Sequence, residues 1–329
     1  MKTKIHPPTP ANLRRLAAAL RRGGLVGMPT ETVYGLAADA LSATACRAIF
    51  KAKGRPTQDP LIVHVLDLAQ AEQLAEFNER ARKLARHFWP GPLTLVLPKK
   101  ACVPDIVTAG RNTVAIRSPA HPLARRLLRL SGVPLAAPSA NLFGYVSPTS
   151  AAHVVAGLGG KIPSVLDGGL CRVGVESTIL DLTDPARPRI LRPGAVTTED
   201  LEKFLRVKIA ARASSIGAKQ KTPTGLLAPG LLPQHYSPHT RLLIKRSWAQ
   251  PPKDIAAIHL RRPVGRTAPN VLWLSRRGAL KEVARNLYRV LRAADAGGHR
   301  QIWIEALPAD SGGLAAAVND RLKRAAAKR

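Results

Sequence analysis

Acidic side chains are scarce in this chain of 329 residues: 21 Asp and Glu stand against 51 Lys and Arg, a formal charge of +30. That imbalance argues for contact with polyanions or phosphorylated substrates, or it reflects an Arg-rich composition, since cations occur in every segment. No run of five or more basic residues marks a separate tail. Cysteine is nearly absent. Cys46, Cys102 and Cys171 lie far apart with no CxxC, which excludes a disulfide framework and a thiolate zinc site. They fit small buried side chains in a reducing compartment. No run of about eighteen apolar residues occurs, and the charged first residues lack the apolar core of a signal peptide. A soluble, cytoplasmic protein is expected.

Standard fingerprints are missing too. There is no GxxxxGKS or GxxxxGKT, no GxGxxG after a strand and no HExxH, so neither a P-loop nor a dinucleotide fold nor a paired-His metal site is supported. Nine histidines are scattered, and neither Ser139 nor Ser177 lies in GxSxG.

What is present is a long alternation of strand and helix patterns. The chain is 45% hydrophobic, enough for one large domain or two ordinary ones. The stretch from Gly23 to Val65 sets the pattern: an apolar strand at 25–28, the turn Pro29-Thr30-Glu31-Thr32, and a helix opened by Ser42 and closed by Gly54. A second strand at 61–65 carries His64. Alternation continues to the helix near 198–205. This predicts an α/β fold, an open, twisted, mixed sheet with helices on its faces. Periodicity fades from about residue 210 to 240, where Pro, Gly, Ser and Lys dominate, and a smaller α/β unit follows. The expected division is a first domain over 10–208, a linker or lid over 209–240 and a second domain over 241–329. Residues 1–205 carry 27 basic and 15 acidic side chains and the remainder 24 and 6, so the smaller part is the more basic.

Polar clusters recur at strand ends: Thr30 with Thr32, Lys53 with Arg55, His64, Arg117, Ser139 with Asn141, Ser177 with Thr178, and Arg192. Strand ends of one sheet share a crevice, where α/β proteins place ligands. Lys and Arg together suit phosphate oxygens, and Ser and Asn in tight turns supply donors. Lys53 and Arg55 also read simply as a basic helix C-terminus favoured by the macrodipole.

The wording of these clusters resembles the YrdC-like family of threonylcarbamoyl-AMP synthases. The stretches concerned are Pro-Thr-Glu-Thr-Val-Tyr-Gly-Leu (29–36), Lys-Gly-Arg-Pro (53–56), Leu-Ile-Val-His (61–64) and Trp-Pro-Gly-Pro-Leu-Thr (89–94). Thr-Val-Ala-Ile-Arg (113–117), Pro-Ser-Ala-Asn (138–141), Ser-Pro-Thr (147–149), Gly-Val-Glu-Ser-Thr-Ile (174–179) and Arg-Pro-Gly (192–194) continue it in the family's order. His-Tyr-Ser-Pro (235–238) resembles the linker of the longer members, whose C-terminal domain is Rossmann-like.

The resemblance implies a reaction in which L-threonine, bicarbonate and ATP give threonylcarbamoyl-adenylate and pyrophosphate, with magnesium arriving on ATP and no dedicated metal cage. A downstream transferase complex then modifies the adenosine beside the anticodon of ANN-decoding tRNAs. It also implies that Thr30, His64, Arg117 and Ser177 hold threonine, with Arg117 on its carboxylate. Lys53, Arg55, Thr113, Ser139, Asn141, Ser147 and Arg192 hold ATP, the catalytic work falls to Lys53 and Arg55, and Tyr236 closes over the site from the linker. Four positions depart from the family's habit: Asp59, which would repel phosphates, Phe143, where a small Ser is common, and in the linker Leu231 and Gln234, where Met and a basic residue are more usual. The rival reading is a non-catalytic protein binding double-stranded RNA or tRNA through a basic concave surface, but RNP aromatics and RNA-binding repeats are lacking. A carbamoyltransferase of hydrogenase maturation, which shares a YrdC-like domain, would need zinc-finger Cys pairs that this chain does not have.

Overall fold

The computed structural model describes residues 2–211, 226–230, 232, 235–248, 250–308 and 311–327. The chain opens with β1 (Lys4–His6), α1 (Pro10–Arg21), β2 (Val26–Met28), β3 (Gly35–Asp39), α2 (Ala43–Lys53) and β4 (Ile62–His64). Next come α3 (Leu68–Glu72), α4 (Glu79–Phe88), β5 (Leu93–Pro98), α5 (Asp105–Thr108), β6 (Thr113–Arg117) and α6 (Pro122–Ser131). The first part closes with β7 (Leu135–Ala136), α7 (Ala151–Leu158), β8 (Ser164–Leu166), β9 (Thr178–Asp181), β10 (Arg189–Arg192), α8 (Thr198–Leu205) and β11 (Ala210–Ala211).

These strands form one mixed sheet in the order β1-β8-β2-β3-β7-β4-β6-β5-β9-β10-β11. Its helices start and stop where local chemistry dictates. Thr9 accepts from the amide of Asn12 and Pro10 opens α1, so Leu13, Leu16, Ala17 and Leu20 form one buried stripe. Ser42 caps α2, and Gly54 ends it at φ 62, a left-handed conformation that glycine adopts without strain. Strand β3 was not expected. It is made of small residues after a polar turn, and its partners β2 and β7 lie antiparallel on either side, the latter almost a hundred positions away.

Strand alternation decides where helices go. In β3, Leu36 and Ala38 join the core containing α2, α4 and α7, while Ala37 joins the core beneath α1 and α6. In the neighbouring strands Val63, Ile116 and Leu95 point to the first of these cores. Among the described residues their alternates Ile62, Ala115 and Val96 meet no helix; with Ile179 and Leu191 they pack against Leu226, Leu227 and Ala228. One face of this half of the sheet is thus roofed by an irregular segment.

A second sheet follows: β12 (Arg241–Lys245), β13 (Ile255–Arg261), β14 (Val271–Ser275), α9 (Leu280–Asp295), β15 (Gln301–Glu305) and α10 (Gly313–Ala325). All its pairings are parallel, in the order β12-β15-β13-β14. Its apolar core runs on without a break into Val33, Val146 and Val175 of the first part.

Gly194 shows how tightly the roofed face is built. A Cβ there would stand 2.3 Å from the amide nitrogen of Thr178, 2.5 Å from the carbonyl carbon of Ser177 and 2.6 Å from the carbonyl oxygen of Glu176. Gly194→Ala is expected to lower stability by about 1–3 kcal/mol, as overpacking against backbone does. Urea unfolding should show the fall as a lower midpoint at unchanged slope.

Candidate active site

The helix-free face gathers the polar strand ends. His64 and Arg117 finish the parallel strands β4 and β6 and stand opposite each other in register, one step beyond Ile62 and Ala115. Arg192 reaches the same face through an irregularity. Ile190 packs in the helix-covered core and Leu191 against Ile179, so simple alternation would return residue 192 to the covered side. A bulge between Ile190 and Arg192 re-aims it. With Thr30, Arg55, Ser139, Ser177 and Tyr236, these side chains line a cavity of about 40 Å³.

One end is built around Arg117. Its Nη2 lies 2.5 Å from Oε1 of Glu31, its Nη1 donates to the hydroxyl of Thr32 at 3.0 Å and its Nε to the carbonyl of Gly91 at 3.2 Å. The approach to Glu31 is that of an ion pair rather than a straight hydrogen bond, so Nη2 keeps a donor without a hydrogen-bond partner. Thr30 locks the turn by donating to the carbonyl of Val33 at 2.6 Å and accepting from the amides of Thr32 and Val33. Burial would raise the Glu31 carboxyl, but Arg117 outweighs it and holds the group below its ordinary value. Burial together with Arg117 pushes His64 down to about 3, so this imidazole is neutral across the physiological range.

The other end is cationic. Arg55 donates through Nε to the carbonyl of Asp59 at 3.0 Å and through Nη2 to that of Pro60 at 2.7 Å, with the Asp59 carboxylate 3.0 Å away. Asp59, a departure from the family's habit, is therefore the buried partner of Arg55. Burial lowers the Arg55 pKa against the pull of Asp59, and nearby Arg192 lowers it further. Arg192 donates to the Ser177 carbonyl at 3.0 Å and to its hydroxyl at 3.2 Å, and Thr94 holds that hydroxyl at 2.7 Å. Lys53 donates to the carbonyls of Ser139 and Asn141, both at 2.5 Å. Burial, aided by Arg55, pushes its ammonium well below the ordinary value.

Tyr236 closes the cavity from the segment between the two sheets. It is 1% exposed, sits at φ 63 in the left-handed region, and its hydroxyl has no hydrogen-bond partner. Holding a bulky residue there costs roughly 1–3 kcal/mol, so its surroundings must over-determine it. They do: Tyr288 stacks on the ring at 5.8 Å and the guanidinium of Arg321 lies over it at 5.3 Å. His235 meets Tyr236 edge-on at 4.1 Å, and Phe143 meets His235 edge-on at 6.1 Å. Burial and Arg55 push His235 down to about 3.

Of the residues given substrate roles from the sequence, eight meet at the cavity wall: Thr30, Arg55, His64, Arg117, Ser139, Ser177, Arg192 and Tyr236. Four stand back from it. Lys53 holds the Ser139–Asn141 turn from behind, and Asn141 donates to the carbonyls of Leu142 and Tyr145. Ser147 donates to Glu176 at 2.7 Å, and Thr113 sits at the start of β6, opposite Pro98 and at the far end of the strand from Arg117. The carboxylates Glu31 and Glu176 were not singled out, although both lie inside the quoted motifs; a lone acid among hydroxyl residues at a strand end was the available signal. The part of the linker over 212–225, like Leu231 and Gln234, lies outside the described residues.

A family model described as "Telomere recombination" matches residues 18–194, and one described as "Threonylcarbamoyl-AMP synthase, C-terminal domain" matches residues 196–327. The chain is 40% identical to the threonylcarbamoyl-AMP synthase of Pyrococcus abyssi, over 96% of this chain and 94% of that one. It is 40% identical to the threonylcarbamoyl-AMP synthase of Bacillus subtilis, over 96% and 93% of the two chains. The crystal structure of P. abyssi Sua5 complexed with L-threonine is similar at a TM-score of 0.87 and 39% identity, covering 99% of this chain and 98% of that chain. Matched along almost its whole length, the chain belongs to the threonylcarbamoyl-AMP synthase family.

Proposed function

We propose that this chain condenses L-threonine, bicarbonate and ATP into L-threonylcarbamoyl-adenylate and pyrophosphate. The observation that carries the reading is the convergence of Arg55, Arg117 and Arg192 with Thr30, Ser139 and Ser177 on one buried cavity. These are motif residues drawn from six separate places in the chain.

In this reading Arg117 takes the threonine carboxylate, using the donor that Glu31 leaves without a hydrogen-bond partner. Neutral His64 and the hydroxyls of Thr30 and Ser177 orient the rest of the amino acid. The amine nitrogen bonds to the carbon of bicarbonate as that carbon's bond to its hydroxyl oxygen breaks; the hydroxyl leaves as water with one amine proton, giving the carbamate. A carbamate oxygen then bonds to the α-phosphorus of ATP as the bond from that phosphorus to the bridging oxygen breaks, and pyrophosphate departs. Negative charge builds on phosphate oxygens, so fixed cations and alignment supply the catalysis and no covalent nucleophile is required. Arg55 and Arg192 face that charge directly. Lys53 shapes the Ser139–Asn141 turn by donating to both carbonyls from behind the cavity wall.

Magnesium enters this scheme with the nucleotide. Glu31, Asp59 and Glu176, the carboxylates nearest the cavity, are each paired with an arginine. Phosphate oxygens are then the natural ligands. The roof formed by Leu226–Ala228 and Tyr236 keeps water from the carbamate and the mixed anhydride. The product passes to a transferase acting on ANN-decoding tRNA. A reducing cytoplasmic setting fits the three free cysteines. Among the described residues no helix is long and apolar enough to cross a membrane. Family membership over both parts of the chain disfavours a purely RNA-binding role.

Purified protein should release pyrophosphate from ATP only when threonine and bicarbonate are both supplied; release that ignores threonine would sink the reading. Arg117→Ala should raise the threonine KM on the order of a hundredfold, the scale of truncating a buried charge pair. Lys53→Ala should act chiefly on the ATP KM, by about tenfold or more.

The neutral state of His64 also has a sign that can be tested. Its folded pKa of about 3 lies below the unfolded value near 6.5, so the unfolded chain binds the extra proton between these limits. Stability is therefore lost as pH falls through that window, by up to about 1.4 kcal/mol per unit for one proton. His64→Gln should flatten the fall between pH 6 and 4 in urea unfolding; an unchanged slope would show that His64 is not held neutral.

A further inference from the structure

Glu176 is the point where the two parts of the molecule share a charge. It is 6% exposed, lines the cavity and immediately precedes Ser177. Its Oε1 accepts from the hydroxyl of Ser147 at 2.7 Å. Its Oε2 accepts from the hydroxyl of Tyr288 on α9 at 2.7 Å and from Nε of Arg321 on α10 at 2.8 Å. Arg321 is 1% exposed and also donates to the carbonyl of Pro193 at 2.9 Å. The same two side chains, Tyr288 and Arg321, cover the Tyr236 ring.

A buried ion pair is a poor device for mere adhesion, because desolvation cancels most of its attraction and an apolar pair of equal volume would do as well. An apolar contact is in fact already present here, since Val33, Val146 and Val175 join the core of the second sheet. What the polar cluster adds is a fixed geometry. Apart from the pairing of Arg321 with Asp320 on its own helix at 2.9 Å, its contacts end on a residue of the cavity or on one bonded to it.

We infer that Arg321 and Tyr288 of the C-terminal domain are positioning residues for the synthase, acting by holding Glu176 and Tyr236. The kinetic part of this inference rests on the function proposed above. The physical route runs through Arg192. Burial would raise the Glu176 carboxyl, but Arg321 first and Arg192 second outweigh it and hold it at about 2. Glu176 is therefore an anion at any working pH. With Arg321 gone, Arg192 is the remaining strong cation beside it. Arg192 now anchors Ser177 by donating to its carbonyl and hydroxyl. Drawn towards Glu176, it would release Ser177 and turn from the phosphate end of the cavity. The C-terminal domain thus neutralises a carboxylate that would otherwise compete with substrate for Arg192.

This route makes a prediction that simple domain adhesion does not. Arg321→Gln should raise the KM values for threonine and ATP about tenfold or more, with a smaller effect on kcat. Adding Glu176→Gln in the same chain should recover most of that loss, because the competing charge is then absent. Tyr288→Phe, the milder change, should raise the threonine KM several-fold; it decides the matter if Arg321→Gln fails to fold by circular dichroism. Titration calorimetry with L-threonine alone should show the same order of affinities. Unchanged KM values in folded Arg321→Gln and Tyr288→Phe overturn the inference. So does a double variant no better than Arg321→Gln. A wild-type protein that releases no threonine-dependent pyrophosphate would refute the proposed reaction instead, and the calorimetric series would still judge the positioning role.

Discussion

Three arginines buried in one crevice, with a lysine buried behind its wall, are the constraint around which this molecule is arranged. Lys53, Arg55, Arg117 and Arg192 are each 6% exposed or less. An unpaired charge in such a setting is strongly disfavoured. Each is therefore given protein oxygens: carbonyls of Ser139 and Asn141 for Lys53, Asp59 and Pro60 for Arg55, Glu31, Thr32 and Gly91 for Arg117, and Ser177 for Arg192. Most of these partners are backbone carbonyls in turns. The carbonyls carry partial charge only, and the carboxylates of Glu31 and Asp59 offset two of the four cations, so an excess of positive charge is left that an anionic ligand can satisfy.

The shape of the sheet follows from that requirement. A helix laid over β4, β6 and β9 would fill the space the arginines need, and that face is covered instead by Leu226, Leu227 and Ala228. Irregular chain can carry its polar groups at chosen points, as Leu226 does by donating its amide to the carbonyl of Gln58 in the Arg55 loop at 2.8 Å. Arg192 requires one more concession from the ladder, the bulge that turns it to the cavity side. Gly194, two residues on, lets this strand end lie directly against Glu176, Ser177 and Thr178. Regular structure supplies the platform, and each deviation from it aims a side chain.

Much of this was legible in the sequence where the signal is local. Ser42 and Gly54 mark α2 because a cap and a left-handed stop are chemistry of one or two residues. The strand expected at 61–65 is found as β4 (Ile62–His64), because β-branched residues cluster there in a short apolar run. Strand β3 was missed because Gly35, Ala37 and Ala38 carry no such signature and one of its two partners, β7, comes from almost a hundred positions away. The candidate site divides in the same way. Residues that close a strand onto the open face, such as His64 and Arg117, were identifiable by position. Arg321 was not, since one arginine on a helix reads as surface, and only the packing of α10 on Glu176 makes it interior. Ion pairs between distant elements leave no periodic trace.

Size shows what the closed arrangement must do in use. A cavity of about 40 Å³ is far below the ~300–1,000 Å³ of ordinary small-molecule pockets. Threonine and a nucleotide together fit only if the roof yields. The sheet residues are ill suited to move, because strands β4, β6 and β9 are paired on both sides. Tyr236 is better suited: its backbone is in a costly conformation and its hydroxyl has no hydrogen-bond partner, so its place depends on ring contacts with Tyr288, Arg321 and His235. Contacts of that kind are lost and remade at modest cost, on the order of 1 kcal/mol for an aromatic pair. The charged cluster at Glu176 is not. In the proposed reaction, stacking on a frame held by charge would let Tyr236 yield to substrate while Ser177 and Arg192 keep their places, the division of labour a water-sensitive intermediate demands.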